Sequence, residues 1–140
     1  MGKTWMYRLL GAGKLPHQLQ EKLEAEGIVL LDEGIGGSIT YQNFRAPGKA
    51  SNWKRSHFTG AVVLTKVRFV GLAYTRPVIN LPYDDPRLPR VQVTLPDVQT
   101  ISLAFDAATF HDDWSGSIEC RFNTVHAAQI QATLAGRQPA

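Results

Sequence analysis

The stretch of sequence from residue 58 to residue 85 constrains the fold most. It contains successive runs of β-branched and aromatic residues, and each run is bounded by Gly, Thr-Lys or Arg-Pro. Runs of this composition, closed by turn-forming residues, are typical of strands. The stretch therefore predicts consecutive antiparallel strands at the centre of a mainly β protein.

The length and composition fit one domain. A chain of 140 residues, of which 44% are hydrophobic, can bury a core without disulfides or metals. Cys120 is the only cysteine, which excludes an intramolecular disulfide and makes a reducing cytoplasmic setting the default expectation. We therefore expect one domain over residues 1–140, with no cofactor and no bound metal.

The N-terminal region does not resemble a targeting sequence. Its brief apolar character ends before Arg8, without the cleavage site of a signal peptide. Residues 11–14 (Gly-Ala-Gly-Lys) do not form a phosphate loop, because Leu15 stands where a magnesium-binding hydroxyl is needed. No apolar stretch approaches the roughly eighteen residues of a transmembrane helix. We expect a soluble cytoplasmic protein without a transmembrane segment, and any membrane contact would be peripheral.

Helical spacing appears first near the N-terminus. Leu15, Leu19 and Leu23 recur every four residues, and Gly27 follows them as a typical helix stop. This pattern predicts an amphipathic helix over residues 15–26.

The following segment has strand and turn signals. Residues 28–33 and 38–45 have strand composition, and the glycine-rich residues 34–37 between them predict a turn, so the two strands should form a hairpin. Ile39 and Tyr41 should share one face. Residues 46–52 contain adjacent Pro and Gly and predict a loop.

The C-terminal half continues with strands and then changes to helical spacing. Residues 91–95 and 100–105 predict another hairpin, and residues 117–123 predict the last strand. A helix should then run from Thr124 to Leu134, and residues 135–140 should fray. The side chains predicted to face the core are Ile101, Leu103, Phe105, Ile118, Cys120, Phe122, Ala127, Ile130 and Leu134.

The order of residues in the central stretch resembles that in GRAM and bacterial pleckstrin-homology-like domains. The pattern is a Gly and apolar residues, then Leu-Thr-x-x-Arg-aromatic-apolar, and then a short strand ending in Pro-hydrophobic-Asp. The residues that match it here are Gly60, Leu64, Thr65, Arg68, Phe69, Val70, Pro82, Tyr83 and Asp84.

This resemblance covers residues 28–134 and implies a fold. It implies seven to eight antiparallel strands in two near-orthogonal sheets, which form an open barrel closed by the C-terminal helix. The helix over residues 15–26 lies outside the family's common core. Phosphoinositide-binding members carry cations on the first two strands and the loop between them. In this sequence residues 32–37 would form that loop, and they are acidic. The resemblance therefore does not predict an inositol phosphate pocket.

Positive charge is concentrated in the middle of the chain. No acidic residue lies between Glu33 and Asp84, whereas seven cations do. Such an interval predicts a positive potential on one face of the barrel, which would attract phosphate or carboxylate groups. These cations are Arg45, Lys49, Lys54, Arg55, Lys66, Arg68 and Arg76.

The best candidate site lies within this interval. Cations interleaved with an aromatic side chain suit contacts with phosphates together with stacking or insertion at a membrane interface. The alternative is an ordinary solvated loop. The candidate residues for binding an anionic partner are Arg45, Lys49, Trp53, Lys54 and Arg55.

Other reactive side chains do not form a convincing catalytic or metal site. His111, Asp112 and Asp113 are adjacent, and adjacent side chains rarely converge on one ion, so we expect a turn that Trp114 anchors on the barrel. Cys120 should face the core and be inert. We therefore predict no catalytic, cofactor-binding or metal-binding residue.

Three functions remain, in the following order. The first is a non-catalytic binding or adaptor domain that recognises a protein partner or self-associates through strand edges, the helix groove and the basic loop. The second is peripheral attachment to anionic lipid through the basic loop. The third is a small barrel that binds an apolar ligand or acts as an enzyme, which requires a hollow interior. The sequence contains no nucleic-acid-binding motif.

Overall fold

The structure, a computed structural model, describes residues 15–137. The helices in this part of the chain are α1 (His17–Glu26) and α2 (Ala127–Arg137). The strands are β1 (Ile28–Ala46), β2 (Lys49–Thr65), β3 (Arg68–Ala73), β4 (Arg76–Pro82), β5 (Gln92–Asp97), β6 (Thr100–Asp106) and β7 (Ser115–Asn123). The predictions made for the N-terminal region, including residues 11–14, and for residues 138–140 of the tail lie outside the described residues.

The strands form one antiparallel sheet in the order β4-β3-β2-β1-β7-β6-β5. β1 to β4 form one meander and β5 to β7 a second, and β7 joins the two by pairing with β1. The sheet is not closed, because β4 and β5 are its edges. The prediction of a mainly β, antiparallel fold with a helix near each end is confirmed, with seven strands among residues 15–137.

The predicted hairpin around residues 34–37 is wrong, because β1 continues through this segment to Ala46. Gly34 has a φ of 71° and lies at a register shift between Glu33 and Ile35, which is a bulge within the strand. A Cβ atom on Gly37 would lie 2.5 Å from the carbonyl oxygen of Arg121. These glycines therefore permit a bulge and close packing inside the sheet, and they do not form a turn.

The predicted loop over residues 46–52 is also wrong. The chain reverses at Pro47 and Gly48, and β2 begins at Lys49. Gly48 has a φ of 74°, a conformation that favours glycine, so a turn of two residues connects the strands. β1 and β2 consequently form one long hairpin whose pairing continues to Ala46 and Lys49.

The larger core lies on one face of the sheet, and α2 packs against it. Ala127, Ile130 and Leu134 are fully buried, as predicted from their spacing. Alternating residues of β6 and β7, including Leu103 and Phe122, belong to the same cluster, as predicted. The helix continues to Arg137, so the prediction that the chain frays from residue 135 is wrong for residues 135–137.

The helix α1 packs on the opposite face of the sheet. Leu15 and Leu23, as predicted, are buried in a second cluster with Val63 and Val70. Gly27 ends α1 with a φ of 88°, as its position predicted. Because β3 and residues 58–65 of β2 are covered on both faces, their apolar runs are continuous rather than alternating.

The Leu-Thr-x-x-Arg segment forms the turn between β2 and β3. The Thr65 hydroxyl accepts hydrogen bonds from the backbone N–H groups of Val67 and Arg68, at 3.1 and 3.0 Å, and donates to Glu26 Oε1 at 3.0 Å. Arg68 pairs with both oxygens of Glu26, at 3.0 and 2.9 Å. This segment therefore closes a turn and anchors the end of α1.

Candidate functional site

The predicted site residues lie at the end of the β1–β2 hairpin. We call residues 44–55 the cationic hairpin, because Arg45, Lys49, Lys54 and Arg55 are all exposed there. In place of the predicted loop, these cations are held on two hydrogen-bonded strands, with Tyr41 paired to Lys54 and Ala46 paired to Lys49. The sheet therefore fixes the positions from which the side chains extend.

The two arginines of the cationic hairpin are engaged within it. Arg45 donates to the carbonyl oxygen of Phe44 at 2.7 Å and to Asn52 Oδ1 at 3.1 Å. Arg55 donates to Thr40 Oγ1 at 2.9 Å, and its guanidinium carbon lies 5.3 Å from the centroid of the Trp53 ring. These contacts brace the hairpin and orient the exposed tryptophan.

The two lysines have a different environment. Lys49 and Lys54 line a cavity of about 440 Å³, which we call the lysine cavity. Neither lysine forms a salt bridge with another described residue. No carboxylate of residues 15–137 lines the cavity, so the two ammonium groups are available to an anion. The lining residues are Tyr41, Phe44, Gly48, Lys49, Ala50, Ser51, Lys54 and Trp114.

A second cavity, which we call the apolar cavity, adjoins the first. It also measures about 440 Å³, and it shares Tyr41 and Trp114 with the lysine cavity. Its wall is mostly aliphatic and aromatic and contains no charged carboxylate. The lining residues are Ile39, Tyr41, Pro77, Val78, Ile79, Asn80, Phe105, Phe110, His111, Trp114 and Ile118.

Packed aromatic side chains form the boundary between the two cavities. The Tyr41 and Phe44 ring centroids are 4.8 Å apart, and Phe44 meets Trp114 edge-on at 5.3 Å. His111 stacks on Trp114 with ring centroids 3.6 Å apart, and the backbone N–H of Trp114 donates to the backbone carbonyl oxygen of His111 at 3.0 Å. The prediction that Trp114 anchors its turn is confirmed, since Trp114 packs against the larger core.

The sequence did not indicate Tyr41, Phe44 or Trp114 as site residues. Tyr41 and Phe44 are ordinary strand residues in sequence, and Trp114 is about seventy positions further along the chain. They meet because β1 pairs with β7, in the register that places Tyr41 opposite Ile118. Among the residues around the two cavities, only the cations form a pattern that can be recognised in the local sequence.

Burial raises the pKa of two groups close to this boundary. The pKa of the Tyr41 hydroxyl is raised mainly by burial and additionally by the neighbouring Cys120. Burial, with a smaller contribution from Glu119, raises the pKa of the Cys120 thiol to about 12. Tyr41 is therefore a neutral hydrogen-bonding group, and Cys120 is a buried neutral thiol, as predicted.

The seven cations of the acid-free interval are not all uncompensated, and two of them lie away from the cationic hairpin, at the β2–β3 turn. Arg68 is paired with Glu26 at the β2–β3 turn, and both side chains are largely buried. Lys66 lies beside it, with its side chain against Gly27. Glu26 is 42 positions from Arg68 in sequence, so the local charge pattern does not reveal this pairing. The cationic hairpin is thus a smaller and more local patch than predicted.

The described residues offer no clear alternative site. Between residues 15 and 137, no group of three or more His, Cys, Asp or Glu side chains is arranged to hold a metal ion. His111, Asp112 and Asp113 are exposed. Neither α1 nor α2 is long and apolar enough to span a membrane.

No protein-family model matches this chain, and no curated protein matches its sequence. The two cavities and the cationic hairpin are therefore the basis for a functional proposal.

Proposed function

We propose that this chain is a non-catalytic binding domain that recognises an anionic partner through Lys49 and Lys54. The observation that carries the proposal is that both lysines line one cavity and have no acidic neighbour in its wall. Both lysines are exposed, so their attraction to an anion should fall as added salt screens it. A binding role also agrees with the buried, neutral state of Cys120.

We further propose that the fold is of the pleckstrin-homology-like type. The strand order, with two antiparallel meanders joined through β1 and β7, supports this assignment. The position of α2 against β5 and β6 also supports it, because a C-terminal helix closes the core in that family. The first two strands meet at Pro47 and Gly48, so the cations do lie on the first hairpin, and residues 32–37 are not its loop.

The edges of the sheet are less suitable for recognition than the cationic hairpin. β4 contains Pro77 and Pro82, and β5 contains Pro96. Proline has no N–H group to donate to an added strand, and it is one of the residues that protect sheet edges from pairing. We therefore place the partner at the cationic hairpin, with an acidic segment of a protein, or of a second copy of this chain, as the first candidate.

An anionic membrane surface is the second candidate. Trp53 is 58% exposed beside Arg55, on the same hairpin as Lys49 and Lys54. An exposed tryptophan next to cations suits the interface between lipid headgroups and acyl chains. This observation favours peripheral attachment by the hairpin and does not require insertion of a helix.

The test compares charge reversal at the site with charge reversal elsewhere. The Lys49→Glu/Lys54→Glu variant should bind anionic probes at least about tenfold more weakly than the wild type, because attraction becomes repulsion. The matched control is Lys22→Glu/Arg90→Glu, which makes the same change in net charge at exposed positions outside the hairpin. The probes are a poly-glutamate peptide and vesicles of phosphatidylcholine with or without phosphatidylserine.

The two candidate partners give different results. An acidic protein segment predicts binding to poly-glutamate that persists in Trp53→Ala, whereas a membrane predicts vesicle binding that requires Trp53. Either interaction should weaken with added salt, since the Debye length falls to about 10 Å at 0.1 M. Binding that is insensitive to salt and survives the double reversal would contradict the proposal.

A further inference from the structure

We propose that this site also binds a small amphiphilic anion: an apolar chain or ring that carries one carboxylate or phosphate. Its apolar part would occupy the apolar cavity, and its acid group would bind Lys49 and Lys54. This inference rests on the proposed function, because it requires that the two lysines bind an anion.

The apolar cavity has the size and lining of a small-molecule site. Its volume of about 440 Å³ falls in the range of roughly 300–1,000 Å³ that is usual for ligand pockets. Such pockets combine apolar walls with a few polar groups that fix the ligand's orientation. Here the side chains of Ile39, Val78 and Phe105 are apolar, and Tyr41, Asn80 and His111 supply the polar groups.

The cavity is bounded by both halves of the open sheet. Val78 belongs to the edge strand β4, whereas Phe105 belongs to β6 and Ile118 to β7. β4 and β6 are not neighbours in the sheet, so the space between their side chains is not closed by strand pairing. Because these strands hold most of the lining, the cavity is already formed without a ligand.

The arrangement of charge determines the class of ligand. The lysine cavity and the apolar cavity meet at Tyr41 and Trp114, so a molecule lying along these side chains has one end beside the lysines. A fully polar anion would gain nothing from the apolar wall, and a neutral apolar molecule would gain nothing from the charges of the two lysines. A molecule with one acid group and an apolar body can contact the lysines and fill the apolar cavity at the same time.

Titration with different ligands tests the contribution of the acid group and that of the apolar chain separately. Decanoate, below the concentration at which it forms micelles, should bind the wild type, with calorimetry as the readout. Butyrate lacks most of the chain and decanol lacks the charge, so each should bind at least about tenfold more weakly. Equal binding of decanoate and decanol would overturn the assignment of the acid group to the lysines.

Two variants locate the binding. Val78→Trp should fill the apolar cavity, and Lys49→Gln/Lys54→Gln should remove the headgroup site, so each should weaken decanoate binding at least about tenfold. Val98→Trp is the control, because Val98 is 82% exposed in the turn between β5 and β6. If Val78→Trp does not fold, as judged by thermal unfolding, Val78→Phe provides a smaller filling change. Unchanged binding in a folded filling variant would overturn the inference.

The outcome for the inference can be separated from the outcome for the proposed function. If decanoate does not bind while poly-glutamate or anionic vesicles bind through Lys49 and Lys54, this inference is wrong and the proposed function stands. If no anionic probe binds, both are wrong. Binding to phosphatidylserine vesicles without binding to free decanoate would assign the anion to a membrane and overturn the small-ligand proposal.

Discussion

Gly60 lies where the backbones of β2 and β3 approach too closely to leave room for a side chain. A Cβ atom there would lie 1.8 Å from the carbonyl oxygen of Leu72, a backbone atom of the paired strand β3. Gly60→Ala should therefore lower the free energy of unfolding by about 3 kcal/mol or more, because the backbones of β2 and β3 would have to separate.

Gly136→Ala is the matched control for this prediction. Gly136 lies in α2, and a Cβ atom there would meet no other atom within 4 Å. Alanine favours a helix more than glycine does, so the control should be neutral or stabilising by up to about 1 kcal/mol. Chemical denaturation of both variants checks the prediction, and equal effects would contradict the close approach at Gly60.

Cys120 should make stability depend on pH in the alkaline range. Its pKa is raised from the ordinary value of 9.0 to about 12 by burial. Between these values the unfolded chain loses the thiol proton and the native protein keeps it, so the native state binds more protons and stability falls as pH rises. The contribution is present below pH 9 and is lost towards pH 12.

The comparison with Cys120→Ala isolates this effect from other titrating groups. The wild type should lose stability relative to the variant when urea unfolding is repeated at about pH 8 and about pH 10.5. A difference in stability that does not change with pH would show that the thiol titrates normally and is accessible to water.

At the scale of elements, α2 closes the larger core through a narrow set of side chains. Ile130 is fully buried, whereas the neighbouring Gln129 is exposed. Ile130→Asp should lower the free energy of unfolding by about 3–5 kcal/mol, because it removes packing and buries an unpaired charge. Gln129→Asp places the same charge on the exposed side and should change stability by less than about 1 kcal/mol. Equal losses in thermal or urea unfolding would contradict this packing.

The sequence predicted the buried faces of the two helices correctly but not the course of β1 through residues 34–37, and the reason is physical. The helical spacing of Leu19 and Leu23, or of Ile130 and Leu134, is local and directly reports a face packed on the sheet. Residues 34–37 misled the prediction, because glycine serves equally in turns and in bulges or close contacts. Nothing local distinguishes these uses, since the atoms that Gly37 approaches belong to Phe58 and Arg121.

At the scale of the whole molecule, the candidate site was only partly predictable. The cations from Arg45 to Arg55 lie close together in sequence, so they can be recognised as a group without the structure. The division between braced arginines and available lysines depends on side-chain contacts that composition does not reveal. The cavities depend on the pairing of β1 with β7, which brings Trp114 to Tyr41 and Phe44.

The most direct test of the account is a residue-resolved titration of the labelled protein by nuclear magnetic resonance, first with poly-glutamate and then with decanoate. The account predicts saturable, salt-sensitive shifts at the amides of Lys49 and Lys54 and at the Trp114 indole. It predicts that α1 signals, such as the Lys22 amide, do not move. Saturable shifts confined to α1 or β5, with the Lys49, Lys54 and Trp114 signals unchanged, would contradict the claim that the cationic hairpin is the binding site.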